Sequence, residues 1–482
     1  MKIAIVGSGA SAWAATQGVR LAKPDAHVDL FDDSKPVYSP TAVRGESPRE
    51  VEDFYRQVYR TFRKEQGLRF PLVKNHFGKV YERIRVEGRE RFFSQPLFGG
   101  LTAIWGGTCL PLLPREWDNT PVTHDTMVPW YDRVANSVGI SGASDDLDAH
   151  FDPRWLNRPP LDLVPVAQRL RQALSGNVTF HVGRNRIAIE TRTESSRSCT
   201  YCGECMMGCY CNSVWSAAQA WGEYAPARRR KPRILRVAAG EVQTVEGETF
   251  NGYDRIFLAA GAFGTSLLLQ HSFPGLRAGE LQDNTIYQFP ILDMNLRRAK
   301  GDLKRYNAFS QLLFVNTPSD ELPGTQIQIY PHFDSLFRCA VPPALWALLG
   351  WTQQMARGRV LWARLYSQGK AGMRYRLTGN KKEPLEVVSE PDRGDLLKIL
   401  QALRRELRAS GFWIPPVQPA QSKTSSHLSG PFSWQHEAVD AQGQVTQGLH
   451  IVDGTLFPES PVTSPTFAIM ANAMRIGFEV CK

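Results

Sequence analysis

Apolar positions along this chain follow two spacings. Lys2 to Val6 is a β-branched run that predicts a buried strand, and at Gly7-Ser8-Gly9-Ala10-Ser11-Ala12 it gives way to a helix rich in small residues. Val28 to Phe31 repeats the strand pattern. Pro48 to Gln66 has helical polarity, and the Phe- and Arg-rich stretch up to Arg91 reads as strands. Within Arg115 to Gly142 the best helix is Met127 to Val138, and Val164 to Leu174 is an amphipathic helix behind a Pro-rich approach. Ile234 to Leu258 alternates in short pieces around Gly240, Gly247 and Gly252, as a β-meander would. It delivers the chain to Ala259-Ala260-Gly261-Ala262-Phe263-Gly264-Thr265, a second strand-to-helix glycine turn. From Asn284 the alternation is strand-like, Asp392 to Ser410 is a helix stopped by Gly411, and no internal repeat is visible. Near the end, Ser464-Pro465-Thr466 reads as an N-cap with proline at the first helical position, leading the small-residue helix Phe467 to Phe478.

The first of these units carries chemistry. Gly7 permits a tight turn, Gly9 lets backbone approach a pyrophosphate, and Ala12, in the third small position, lets helix and strand pack closely. The helix N-terminus around Ala10 and Ser11 offers N–H groups to phosphates. Asp32 follows the second strand about 20 residues past the loop, where a carboxylate can accept ribose hydroxyls. A lone glycine-rich turn also serves ordinary packing, but the order strand, turn, helix, strand, acid specifies a dinucleotide site, with FAD and NAD both open. Phe98 to Pro111 sets two glycine pairs around Thr102 and Trp105, ending in Gly106-Gly107. That density lets backbone come close to a ligand, although a turn-rich loop has the same composition.

Composition narrows the class only a little. At 482 residues, 42% apolar and 22% charged, the chain is ordinary globular protein with room for two or three core-forming units. Lys plus Arg exceeds Asp plus Glu by 57 to 47, a net +10 that favours anionic partners without choosing among them. The run ARRRKPR, 227 to 233, reads as a solvated loop, and no nucleic-acid partner is expected. In Pro342 to Arg376, Trp346, Trp351, Trp362 and Tyr366 interleave with Arg357, Arg359, Arg364 and Arg374. An amphipathic helix pair covering a sheet is the reading adopted, beside a substrate wall, a partner surface or a membrane interface. No leader is expected before the first strand, and Ala340 to Ala356, the nearest approach to a spanning run, is broken by Pro342, Pro343, Thr352, Gln353 and Gln354. A soluble, cytoplasmic protein is expected, with peripheral contact at a membrane surface left open.

Five of the eight cysteines, Cys199, Cys202, Cys205, Cys209 and Cys211, lie in one short stretch, and the first four have the spacing C-x2-C-x2-C-x3-C. One loop so spaced can carry thiolates to the separate irons of a cluster. Tyr210 stands where the bacterial ferredoxin pattern has proline, and there is no second set, so the fourth ligand is open between Cys209 and Cys211. An iron–sulfur cluster (4Fe–4S or 3Fe–4S) is the reading adopted, beside zinc and a structural loop of free thiols. Cys109, Cys339 and Cys481 read as buried small hydrophobes.

Taken in order, GSGASA, GGLTAIWGG, LAAGAFGTSLLL, the H-x-x-G at His427 and VDGTLFP before the last helix resemble the glucose-methanol-choline (GMC) family of flavoprotein oxidoreductases. The region from Asn284 to Gly411 is similar only in outline. The resemblance implies an α/β protein with a discontinuous, Rossmann-like FAD-binding domain over residues 1–45, 90–115, 185–280 and 440–482. A second, mixed-sheet α+β substrate domain would comprise 116–184 and 281–439.

It further implies FAD extended along Gly7 to Ala12 and Asp32, with Ala260 and Gly261 at the second turn. The flavin ring would lie beside Gly100 to Gly107 and the last helix, with Asp453, Gly454, Pro465 and Thr466 toward its ribityl and pyrimidine end. Ile104 stands where some relatives bond FAD through histidine, so a non-covalent cofactor is expected. The family oxidises a CH–OH group, and His427 stands at the position of its base, a role open to an imidazole titrating near (roughly) 7, although a hydrogen-bonded loop histidine fits the residue alone. Ser464 replaces the His or Asn that usually acts as second catalytic residue. The expectation is a dehydrogenase of an alcohol or sugar-like substrate, a poor oxidase, passing electrons through the cysteine cluster to an acceptor protein. The same machinery run in reverse, or a zinc-containing binding protein on an inactive flavin fold, are the alternatives.

Overall fold

A computed structural model describes residues 1–34, 82–86, 89–94, 97–205, 209, 211–223, 227–295, 306–319, 321–332, 334, 345–367, 372–380, 383–422 and 427–482. The expected helix Pro48 to Gln66 lies outside them. In chain order the elements that matter are β1 (Lys2–Val6), α1 (Ala10–Ala22), β2 (His27–Phe31), α2 (His124–Val138), α3 (Pro165–Ala173), β3 (His181–Arg184), β4 (Ala227–Arg230), β5 (Arg255–Leu258) and α4 (Gly261–Ser272). They continue with β6 (Ile286–Asp293), β7 (Leu312–Val315), β8 (Thr325–Pro331), α5 (Trp346–Arg359), β9 (Val360–Ser367), α6 (Arg393–Ala409), β10 (Leu449–Ile451) and α7 (Thr466–Glu479).

Two sheets organise the molecule. In the first, β10, β5, β1, β2 and β4 run parallel in that order, with Gln444–Thr446 antiparallel on the β10 edge. Its central strands β1 and β5 read as largely apolar runs because both faces are covered. α1 and α7 cover one face backbone to backbone. A Cβ on Gly18 would stand 2.1 Å from the Met474 carbonyl oxygen, and one on Gly477 2.3 Å from that of Ala15. The small residues of both helices therefore set how closely they pack.

The second sheet is antiparallel, in the order Phe412–Trp413, β6, β9, β8, β7, β3. One face, with Phe289, Ile291, Phe314, Ile327, Ile329, Leu361, Ala363 and Leu365, packs in a core shared with Leu170 of α3 and with Ile399 and Leu403 of α6. α6 starts at Asp392, whose carboxylate accepts from the Gly394 amide at 2.7 Å, and stops at Gly411, φ +80°.

Three expectations need correction. The ARRRKPR run is no solvated loop: its first four residues are edge strand β4, pinned because the buried carboxylates of Asp29 and Asp32 draw Arg230 (3.1 Å) and Arg229 (3.1 Å). The meander covers Ile234–Asn251 only, since β5 leaves it to pair with β1 in the parallel sheet. Instead of a helix pair, α5 is followed by β9, where Leu361, Ala363 and Leu365 alternate into the core, and by the strand Met373–Leu377. Cys109 and Cys481 are buried, as small hydrophobes should be.

Candidate active site

The loops singled out by motif converge where the two sheets meet. Gly7 has φ +110°, and a Cβ there would stand 2.2 Å from the Ala259 carbonyl oxygen, so the first glycine turn lies directly on the second. Gly100 also comes up against Gly9, its would-be Cβ 3.2 Å from the Gly9 Cα, while the Gly99 amide donates to Ser8 Oγ at 3.0 Å. Thr102 donates to Gly99 O and accepts from the Ala217 amide, and Trp105 Nε1 donates to Trp215 O, so the segment after the cysteines braces this loop. At its far end a Cβ on Gly106 would be 3.5 Å from the Tyr330 hydroxyl of β8. Gly107 adopts φ +74° against Ile187.

The donor set fits a dinucleotide. α1, α4 and α7 all begin without a side-chain cap, leaving first-turn N–H groups without partners inside the helix. Nothing lies within 4 Å of where a Cβ would stand on Gly9 or on Gly261, so both turns border open space. Asp32 is engaged: Ser34 Oγ donates to it at 2.6 Å and Arg229 Nη2 at 3.1 Å, which leaves part of its acceptor capacity for ribose hydroxyls. Asp453 is buried and saturated, accepting from Thr265 Oγ1 at 2.5 Å and from the Thr455 hydroxyl and amide at 2.6 and 3.0 Å. It locks α4 to the turn at Gly454, leaving contact with a bound cofactor to neighbouring backbone.

His427 and Ser464 are joined through the antiparallel sheet. The His427 ring stacks on Tyr366, centroids 5.2 Å apart and planes at 17°, and its Nδ1 lies 2.9 Å from Asn284 Nδ2. Burial, with the charge of Arg364 beside it, pushes the imidazolium down to about 3, so the ring is neutral at physiological pH. Ser464 does not cap α7; the N-cap is Pro465, whose carbonyl accepts the first helical bond. The Ser464 hydroxyl is instead taken by Gln326 Nε2 and Gln328 Nε2, each at 3.2 Å, and its amide donates to Gln326 Oε1 at 3.0 Å. Two glutamines from the facing sheet claim the hydroxyl that the helix end would have used. Glu116 holds the segment before Ser464 by accepting from the Val462 amide at 2.8 Å and the Thr463 hydroxyl at 3.2 Å.

Sequence reasoning missed Asn284, Gln326, Gln328 and Tyr330 as site residues, and placed Tyr366 and Arg364 only in an aromatic and basic stretch. Their signal was alternation in two strands. In TQIQIYP and VLWARLYS the isoleucines and leucines face the core, and Gln326, Gln328 and Tyr330 lie in register with Tyr366, Arg364 and Trp362 on the other face. Tyr330 donates to Gln328 Oε1 at 2.6 Å, and Arg364 Cζ sits 5.8 Å from the Tyr366 ring.

The cysteine loop packs against the Tyr330–Trp362 end of this same face, where Cys205, Cys199 and Cys209 share an apolar cluster with Tyr330, Trp105 and Trp362. Backbone amides already point at two sulfurs, Ala308 N to Cys205 at 3.4 Å and Ser213 N to Cys209 at 3.2 Å. Burial and neighbouring thiols push Cys199 up to about 12. Among the described residues no three His, Cys, Asp or Glu side chains are arranged to hold a metal ion.

These features define a two-domain dinucleotide fold with a polar wall over its glycine loops, and the comparisons with known proteins agree. No family profile and no curated protein matches the sequence. Among solved structures, pyridoxine 4-oxidase from Mesorbium loti matches with a TM-score of 0.61 at 14% identity, over 99% of this chain and 98% of its own. Formate oxidase from Aspergillus oryzae RIB40 matches at 0.61 and 12%, over 98% and 97%, and an FAD-dependent oxidoreductase from Chaetomium thermophilum at 0.57 and 14%, over 98% of each. The fold is therefore the GMC-type FAD-binding fold that the order of motifs implied.

Proposed function

We propose that this chain is an FAD-dependent oxidoreductase that interconverts a CH–OH group and its carbonyl, with the substrate oxygen held at His427. The observation that carries this reading is the imidazole fixed between Asn284 and Tyr366 in a fold whose glycine loops fit a dinucleotide. Bound FAD would supply hydride acceptance or donation.

The chain's own residues decide the proton arrangement. Pro461 O can only accept, and at 3.2 Å it fixes the Asn284 amide as donor; the same Nδ2 then donates to His427 Nδ1. The neutral ring therefore carries its proton on Nε2. The base role implied by the resemblance needs a bare Nε2, so we assign His427 to hydrogen-bond donation toward the substrate oxygen, where negative charge builds in either direction, with the hydroxyl proton exchanged with water rather than with the ring. A donor there suits a carbonyl oxygen, which favours the reductive direction as a second reading. Ser464, with both neighbouring amides on its oxygen, keeps its proton to donate.

The cysteine spacing supports an iron–sulfur cluster as a separable part of the reading, exchanging electrons with an acceptor or donor protein. No step above depends on it.

The test is anaerobic purification with ultraviolet–visible spectra and iron, sulfide and zinc analysis. Alcohols are then screened for bleaching the oxidised flavin, and carbonyls for reoxidising the dithionite-reduced protein. His427→Ala is expected to slow the active direction by about 100-fold or more with flavin content unchanged. Unchanged rates in that variant would remove His427 from the chemistry. Cys202→Ser should lose iron; zinc without iron in the parent protein would exclude the cluster.

A further inference from the structure

One stretch of the sequence carries basic side chains and no acidic ones. Residues 335–382 contain nine Lys and Arg and no Asp or Glu, against a net +10 for all 482 residues. The helix within that stretch, α5, is packed inside out. Gln353 faces inward, its Oε1 2.8 Å from His332 Nε2. Arg357 faces inward too, its Nε 2.9 Å from Asp334 Oδ1 and its guanidinium 5.0 Å from the Tyr306 ring centre. Outward stand Leu345, 43% exposed, then Leu348, Trp351 and Met355 at 67, 62 and 50%. Spaced by three, three and four residues, they form one apolar stripe, where a helix packed by its hydrophobic face would show charge to solvent. An apolar stripe left uncovered while polar groups are turned inward marks a surface with a partner.

We propose that α5 docks the protein onto an anionic lipid bilayer, laying Leu348, Trp351 and Met355 into the headgroup region. Three features select lipid over protein as the occupant. The stripe is led by Trp and Leu, the residues that partition into the interface. Acidic side chains are absent from the whole 48-residue stretch, and although Arg357, Arg374 and Arg376 pair with Asp334, Glu280 and Glu386 outside it, the net charge it adds is complementary to anionic headgroups. Arg359, at the helix end on the same side as the stripe, can extend its guanidinium to phosphate while its stem stays with the apolar residues. No described helix is long and apolar enough to cross a membrane, so α5 would lie on the surface. The chain runs without a break from α5 into β9, which carries Arg364 and Tyr366 to the candidate active site, so docking would bring that site close to the bilayer.

The test uses the full-length protein as purified, sedimented with sucrose-loaded vesicles of phosphatidylcholine alone or with about 30% phosphatidylglycerol. Binding is expected to the anionic vesicles, weakening as salt is raised. Leu348→Ser with Trp351→Ser should weaken it by about 10-fold or more at unchanged circular dichroism, because both side chains already face water. Arg359→Glu should reduce the preference for anionic lipid. The proposal is overturned if the parent protein binds neither vesicle, binds both equally, or is unaffected by the double substitution. It is equally overturned if the stripe substitutions abolish self-association in sedimentation velocity while vesicle binding is absent, which would assign the face to a second copy.

Discussion

His427 is legible in the sequence as a residue but not as a proton arrangement. Its tautomer is set by Asn284, 143 positions away, and Asn284 in turn by a proline carbonyl. This gives a prediction at a single atom pair. Asn284→Asp replaces the donor with a carboxylate, moves the ring proton to Nδ1 and raises the His427 pKa from about 3 toward neutrality. Between about pH 5 and 8 the parent should show no ionisation of His427 in its rate profile, whereas the Asp variant should acquire one and a bare Nε2 above it. Identical profiles for the two would mean that Asn284 does not set the tautomer. Asp32 makes the same point: its position was readable from the motif, its ion pair with Arg229, 197 residues on, was not.

At the scale of elements, α1 and α7 are the clearest case of sequence pattern becoming structure. Both were expected as helices of small residues, and the reason for the smallness is their backbone contact at Gly18 and Gly477. Gly18→Val forces a branched side chain into the Met474 carbonyl, which backbone cannot yield without separating the helices. The expected cost is about 3 kcal/mol or more, read as a lowered denaturation midpoint and lost flavin retention. β9 was misread because aromatic and basic residues at alternate positions looked helical while Leu361, Ala363 and Leu365 were carrying the strand period.

Across the whole molecule, Glu190 ties distant segments together: Arg158 and Arg192 pair with its carboxylate at 3.2 and 2.8 Å, and its carbonyl accepts from the Cys199 amide at 2.9 Å. Burial pushes this carboxyl up, but the hydrogen bonds of Arg192 and the charges of Arg158 and Arg192 outweigh it and hold it at about 2. Because the folded value lies below the unfolded one, the stabilisation is fully present above about pH 4.5 and drains as pH falls toward 2. Glu190→Gln should therefore cost about 2 kcal/mol near neutral pH, with the gap to the parent closing through that acid window. Urea denaturation at stepped pH reads it, and a pH-independent gap would assign the effect to packing.

What the sequence by itself determined is whatever short-range physics enforces. The glycine turns, the strand and helix that flank each, the order of motifs and hence the fold follow from residues within a few positions of one another. Tertiary structure alone decided which side chains face His427 and Ser464, because Gln326, Gln328 and Tyr366 reach them from strands whose register depends on the entire antiparallel sheet. It also decided that α5 turns its apolar stripe outward, since Asp334 and His332 had to be brought beneath Arg357 and Gln353 before the polar side of that helix could be the buried one.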